Sequence, residues 1–243
     1  MAKTIALVTG GNSGIGFELV SQLLSKGTYH VFMGSRSLSK GNAALQQLQS
    51  QDVPGTVEVL ELDMTKDSTI DAAVKTISEA HGHLDILVNN AAIVSTAPSL
   101  REQLQEEFDT NATGPAVLTN AFIPLLRKSV LSPRIINISS GAGSINRRLN
   151  PTSPLFKFPG VNYRASKTAL NMITACAWAE YGPEVKVFAY DPGFTQSGLS
   201  GMNTKENGAR SVGESVGPLV DVVEGKRDGE VGRFLHNTGE YPW

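Results

Sequence analysis

Short, uninterrupted apolar runs alternate with longer segments of helical period along the whole 243-residue chain. The runs predict strands over 4–9, 30–34, 57–62, 84–88, 134–139 and 185–189, with a last edge strand at 233–236. Between them, the spacing of apolar positions predicts helices over 14–26, 39–50, 68–81, 100–128, 163–179 and 211–223. Gly27 closes the first of these, and Asp67 or Ser68 opens the third as a cap. Strands that are apolar at every position are buried on both faces, so the pattern predicts a doubly wound α/β fold with a parallel sheet between helix layers. No repeat, linker or shift of composition interrupts the chain, which reads as one domain over 1–243.

The helix at 163–179 is predicted to be mostly buried, and it carries Tyr163 and Lys167 four residues apart on one face. A phenol titrates near ~10 and is a poor proton donor and acceptor at neutral pH. A neighbouring ammonium favours the phenolate and pulls that pKa toward neutrality. A change of ~3 units asks for roughly 4 kcal/mol of preferential phenolate stabilisation, plausible for a charge held in a cleft. Taken alone, the Tyr–Lys pair is a weak signal, because any helix can carry it as a solvated pair.

The first predicted strand runs into Thr9-Gly10-Gly11-Asn12-Ser13-Gly14-Ile15-Gly16, and a helix follows at once. Glycines at 10, 14 and 16 let the backbone turn tightly and approach a pyrophosphate, which the free N–H groups of the helix N-terminus would bind. The spacing G-x-x-x-G-x-G differs from the G-x-G-x-x-G fingerprint, but the strand, loop and helix context is the required one. The second strand ends in Gly34-Ser35-Arg36. A carboxylate there would select NAD through the ribose 2′-hydroxyl; none is present. Arg36 suits a 2′-phosphate, which points to NADP(H); the alternative is a solvated loop arginine.

The remaining composition narrows the classes. With 40% hydrophobic and 18% charged residues the chain has material for a full core. A net charge of −2 without a basic block argues against nucleic acid. One cysteine, Cys176, excludes an intrachain disulfide and is expected as a buried structural thiol. Met1-Ala2-Lys3 leads directly into a strand pattern, without a secretory leader, and no apolar run reaches the ~18 residues that span a bilayer, so a cytoplasmic protein without membrane contact is expected. His30, His81, His83 and His236 are scattered, and no metal site is expected.

Seven stretches in order give the chain a family likeness: TGGNSGIG at 9–16, LDM at 62–64, NNAA at 89–92, Asn111 within DTNATG, INISS at 136–140, YRASK at 163–167 and DPG at 191–193. The sequence resembles a short-chain dehydrogenase/reductase of the classical type, over essentially its whole length. The resemblance implies a Rossmann-type fold and a catalytic set of Asn111, Ser140, Tyr163 and Lys167. In it Tyr163 would be the general acid toward a carbonyl oxygen. Lys167 would lower the pKa of Tyr163 and bond the nicotinamide ribose. Ser140, preferred to Ser139, would polarise the substrate oxygen. Asn111 would anchor a water that relays protons to Lys167, unless it merely bends the helix. The cofactor would be held by Gly10, Asn12, Ser13, Gly14, Ile15, Gly16, Arg36, Asp63, Met64, Asn90 and Ala91. Tyr163, Lys167, Pro192, Gly193, Thr195 by its backbone and Ser197 by its hydroxyl would complete the set. Asp63, resembling the carboxylate that touches the adenine amine, could equally be a turn cap.

The chain departs from the family between Ser140 and Tyr163, where the family has about a dozen residues and this chain places Tyr163 23 positions after Ser140. The surplus at 146–161 contains Arg147, Arg148, Pro151, Pro154, Phe156, Phe158 and Pro159, and is expected to form neither helix nor strand. Phe156 and Phe158 are candidates to line or lid the substrate pocket, with a surface excursion as the alternative. An insertion here, and the ending GRFLHNTGEYPW, resemble the carbonyl-reductase branch. The insertion can also obstruct a face that relatives use to assemble, which leaves monomer, dimer and tetramer open. The polar, Gly-rich segment 198–213 is expected as a mobile flap, with Leu199 and Met202 as apolar contacts. The expected function is NADPH-dependent reduction of a medium-to-large apolar ketone or aldehyde. Alcohol oxidation on NAD(P), a non-catalytic NADP-binding regulator and an epimerisation on the same fold are the alternatives.

Overall fold

The computed structural model describes residues 3–243; Met1 and Ala2, on which part of the leaderless reading rests, lie outside the described residues. Eight strands form one sheet: β1 (Thr4–Thr9), β2 (Tyr29–Ser35), β3 (Thr56–Glu61), β4 (Ile86–Asn89), β5 (Arg134–Ile138), β6 (Lys186–Asp191), β7 (Phe234–His236) and β8 (Gly239–Tyr241). Their order is β3-β2-β1-β4-β5-β6-β7-β8, parallel except for the last pair. The chain reverses its direction of winding between β1 and β4, and the carboxyl ends of these strands frame a crevice where α/β sheets bind ligands.

Alternation along the strands divides the core between the two faces. Ala6 and Val8 of β1, Ile86 and Val88 of β4, and Ile136 and Ile138 of β5 join the apolar cluster under α1 (Gly14–Ser25), α2 (Leu38–Gln49) and α8 (Val212–Val223). Ile5, Leu7, Leu87 and Ile135 point the other way, under α3 (Asp67–His81), α5 (Gly114–Leu126) and α7 (Val161–Tyr181). Both faces are therefore covered, as the apolar runs require.

Several expectations need correction. The region 100–128 is not one helix but α4 (Leu100–Phe108), a π-helical turn (Asp109–Thr113) and α5. Pro115 lacks the N–H that would continue the ladder, and a side chain on Gly114 would meet Met64 O at 2.6 Å, so the chain widens there. The cap of α3 is Lys66, not Asp67 or Ser68. The insertion is not free of helix: Ser144 accepts from Arg147 N at 3.2 Å and starts a short α6 (Ile145–Leu149). Residues 233–236 do not form the sheet edge, because the chain folds back after β7 and β8 covers it. Cys176 is exposed rather than buried, since α7 turns Val161, Met172, Cys176 and Trp178 to the surface and buries only one side. Among the described residues no helix is long and apolar enough to cross a membrane, and none of the His, Cys, Asp and Glu groupings could hold a metal.

Candidate active site

The first strand delivers its chain to the crevice at Thr9, and the glycine loop follows. Gly10 and Gly14 adopt φ of +63° and +55°, which residues with a side chain rarely accept. Gly16 sits where a methyl would lie 2.4 Å from Gly10 O and 2.5 Å from Asn90 Nδ2. Asn90 is the clasp of this turn: its Nδ2 donates to Thr9 O at 2.8 Å, and its N–H, like that of Ala91, donates to Thr9 Oγ1 at 2.9 Å. Helices α4 and α8 begin with reciprocal Ser–Glu caps and α2 with a Ser37 cap. Helix α1 has neither: Ser13 makes no capping bond and no acidic residue lies in its first turn, so its N–H groups and positive dipole end face the loop uncompensated. Asn12 and Ile15 are half-buried and Ser13 exposed on this loop.

Arg36, just past β2, is exposed and makes no hydrogen bond or ion pair among the described residues. Asp63 lies past β3 and accepts from Thr65 N at 3.1 Å and Thr65 Oγ1 at 2.8 Å, with Lys66 3.5 Å away. Burial would raise its carboxyl, but these bonds and Lys66 outweigh it and hold the group below the usual range. Met64 belongs to the buried core. On the far side, Asp191 at the end of β6 receives Gly141 N at 2.9 Å and Gly193 N at 2.8 Å, drawing the loops after β5 and β6 together. Pro192 is buried, Gly193 has φ +81°, and Thr195 bonds Gly193 O and the hydroxyl of Ser215. Ser197 is half-buried, with a weak contact from Leu199 N.

Between these two sides the loop after β5 and helix α7 bring Ser140, Tyr163 and Lys167 together. Ser139 is buried and donates to Asn171 Oδ1, which leaves Ser140 as the serine facing Tyr163. Lys167, fully buried, donates to Ile138 O at 2.8 Å, and its Nζ stands 5.8 Å from the Tyr163 ring centroid. Burial brings the Lys167 ammonium down to about 8, against the opposing pull of Asp191 and Glu107. The expected lowering of Tyr163 is not found. Burial pushes the phenol up, the Asp191 carboxyl adds to this, and the hydrogen bond with Ser140 opposes it. Lys167 donates its hydrogen bond to Ile138 O and not to the phenol. Asn111, in the π-helical turn, is fully buried: Oδ1 accepts from Ile93 N at 2.8 Å, and Nδ2 donates to Ile93 O at 2.9 Å and Ser166 Oγ at 3.1 Å.

A family model for short chain dehydrogenase matches residues 4–208, most of the chain. The chain belongs to the short-chain dehydrogenase/reductase family. As a member of it, the protein is an oxidoreductase that takes small-molecule substrates. A short-chain dehydrogenase/reductase of Talaromyces stipitatus is 37% identical over 98% of this chain and 97% of that protein. The (+)-neomenthol dehydrogenase of Arabidopsis thaliana is 30% identical, over 85% of this chain and 88% of that protein. Among solved structures, the carbonyl reductase Sniffer of D. melanogaster aligns over all of both chains with a TM-score of 0.81 at 25% identity. Salutaridine reductase from Papaver somniferum aligns over 90% of this chain and 95% of that one, with a TM-score of 0.72 at 25% identity.

Within this family framework the insertion and flap are bonded loops. Arg148 donates to Phe156 O and Phe158 O, and Arg164, on α7 beside Tyr163, donates to Leu155 O at 2.7 Å and Ala142 O at 3.2 Å. Phe156 is half-buried; Phe158 is exposed, with Arg164 beside its ring. The flap is tied down at its base, where Gln196 N donates to Arg210 O and Arg210 N to Phe194 O, both at 3.0 Å. Leu199 is half-buried and Met202 exposed. Sequence reasoning missed Glu107 and Arg164, and gave Asp191 no role although its motif was noted. Arg164 stands in the YRASK stretch, and a buried charge at a helical position was its available signal. Nothing marks Glu107 except its place four residues before Asn111.

Proposed function

We propose that this chain is an NADPH-dependent carbonyl reductase acting on a medium-to-large apolar ketone or aldehyde. The observation that carries the reading is the meeting of Ser140, Tyr163 and Lys167 at the carboxyl end of β5, beside the glycine loop. The uncapped first turn of α1 and the positive-φ glycines fit a pyrophosphate, and the free guanidinium of Arg36 fits a 2′-phosphate. Asp63, Met64, Asn90 and Ala91 would flank the adenosine side. Pro192, Gly193, Thr195 and Ser197 would hold the nicotinamide amide, with Tyr163 and Lys167 at its ribose.

When bound, NADPH supplies a hydride to the carbonyl carbon. Tyr163 gives its hydroxyl proton to the carbonyl oxygen as negative charge develops there, and Ser140 donates a hydrogen bond to the same oxygen. The raised phenol keeps its proton until that charge appears, which suits a general acid in the reductive direction. Lys167, near 8, holds a proton at Nζ at neutral pH and stands ready to restore it to Tyr163. Phe156 and Leu199, both half-buried, would supply apolar surface to a bulky apolar substrate. The carbonyl reductase and salutaridine reductase relatives support reduction.

The test is fluorescence titration with NADPH and NADH of the wild type and Arg36→Ala, followed by turnover across a panel of ketones, aldehydes and quinones. NADPH should bind more tightly. Loss of a charged hydrogen bond of roughly 1.5–3 kcal/mol in Arg36→Ala should weaken NADPH about tenfold to a hundredfold and leave NADH unchanged. Preference for NADH, or no reduction of any carbonyl, would overturn the reading.

A further inference from the structure

Two side chains on the α4 stretch make the same kind of bridge, one turn apart. Asn111 holds Ile93 by both of its main-chain groups and reaches Ser166, the residue before Lys167. Glu107 holds the next outward-facing position of the same segment, accepting from Ser95 N at 2.7 Å. It also accepts at 2.7 Å from Nδ2 of Asn162, the residue before Tyr163. Residues 107 and 111, 93 and 95, and 162 and 166 are thus two parallel rungs joining three segments. Glu107 has no exposed surface, and its Oε2 is buried without a hydrogen-bond partner. A carboxyl oxygen left in that state carries a desolvation penalty, larger if it is charged. An apolar side chain would strand Ser95 N and Asn162 Nδ2, and an amide would bury an NH2 without an acceptor in place of Oε2, so the two bridging bonds call for an acceptor at this position.

We propose that Glu107 is a positioning residue of the catalytic site, setting Tyr163 as the Asn111 rung sets Lys167 and placing a carboxyl charge behind both. The inference rests on the reductase reading for its kinetic consequence. The charged and titratable groups facing it are Glu106 on its own helix and Tyr163 and Lys167 on α7; the 93–95 segment brings none. Burial pushes the Glu107 carboxyl up, against the bonds from Ser95 and Asn162. Once ionised, Glu107 holds protons on both Tyr163 and Lys167.

Three variants of the full chain separate the brace from the charge. Glu107→Gln keeps an oxygen for Ser95 and Asn162 and removes the charge. Asn162→Ala removes one bond and keeps the charge. Glu107→Ala removes both. The general acid must be protonated, so loss of the Glu107 charge should move the basic limb of the kcat profile to lower pH in Glu107→Gln and Glu107→Ala. Asn162→Ala should lower kcat without moving that limb. Glu107→Ala should lose roughly ten- to a hundredfold in kcat through misplacement of Tyr163.

Melting temperature against pH gives a readout that needs no turnover. A carboxyl raised in the folded state stabilises below its unfolded value and loses that contribution as pH rises through its folded value. Glu107→Gln should therefore gain stability relative to wild type as pH rises above about 4.3. A pH-independent difference between the two melting curves, or a Glu107→Gln kinetic profile superimposed on wild type, overturns the proposal. If wild type reduces no carbonyl while the melting curves diverge as described, the reductase reading falls and the buried charged brace stands.

Discussion

On the β1–β4 side of the crevice, glycine main chain packs against main chain and the Asn90 amide. Gly10, Gly16 and Asn90 approach so closely that a single methyl has no room, and the residues there are dictated by geometry. On the β5–β6 side the rim is made of two long stretches, 144–160 with its short α6 and 194–211, held by local backbone bonds and by side chains reaching carbonyls. Their identities are not forced by close approach, and Arg148 could be replaced without any clash. The difference separates two tasks. In the proposed function the close-packed side would serve the cofactor, and the looser rim would be the part open to change for a new substrate.

The contrast breaks most sharply at Gly16. Gly16→Ala forces a methyl against Gly10 O and Asn90 Nδ2, and overpacking of this kind costs roughly 1–3 kcal/mol. Because the displaced atoms belong to the loop proposed to hold the pyrophosphate, NADPH affinity should fall about tenfold or more, together with the melting temperature. Isothermal titration and thermal melting read both. A Gly16→Ala protein that binds NADPH as wild type does would erase the distinction between the two sides.

Arg148→Ala probes the rim and should act more gently. It removes donors to Phe156 O and Phe158 O at an exposed position, worth about 1 kcal/mol. The Michaelis constant for a bulky ketone should rise several-fold, while NADPH affinity holds. A change confined to NADPH affinity would show that the insertion serves the cofactor and not the substrate.

The same contrast explains what the sequence made legible. Glycines at 10, 14 and 16, the strand runs and the Tyr163–Lys167 spacing each follow from one local rule, and the sheet covered by helices on both faces appears as the strand runs predict. The break at 109–113 was hidden because a π-helical turn keeps the apolar period on either side; only Gly114-Pro115 hints at it. Cys176 was misjudged because composition, without knowledge of which side of α7 meets the sheet, cannot distinguish a buried apolar face from an exposed one. The Tyr163 phenol was expected to be lowered on spacing alone, yet Lys167 turns to Ile138 O and burial prevails. Glu107 and Asp191 act through partners 55 and 50 residues away in the chain, at separations no local pattern reports.

The central claim is that Tyr163 supplies the proton for an NADPH-driven reduction. The direct measurement is single-turnover NADPH oxidation with a saturating carbonyl substrate, in wild type and Tyr163→Phe, with coenzyme affinity measured alongside. Loss of the general acid should slow the step about 10²- to 10⁴-fold while NADPH still binds. A Tyr163→Phe protein that oxidises NADPH within a few-fold of wild type would contradict the account.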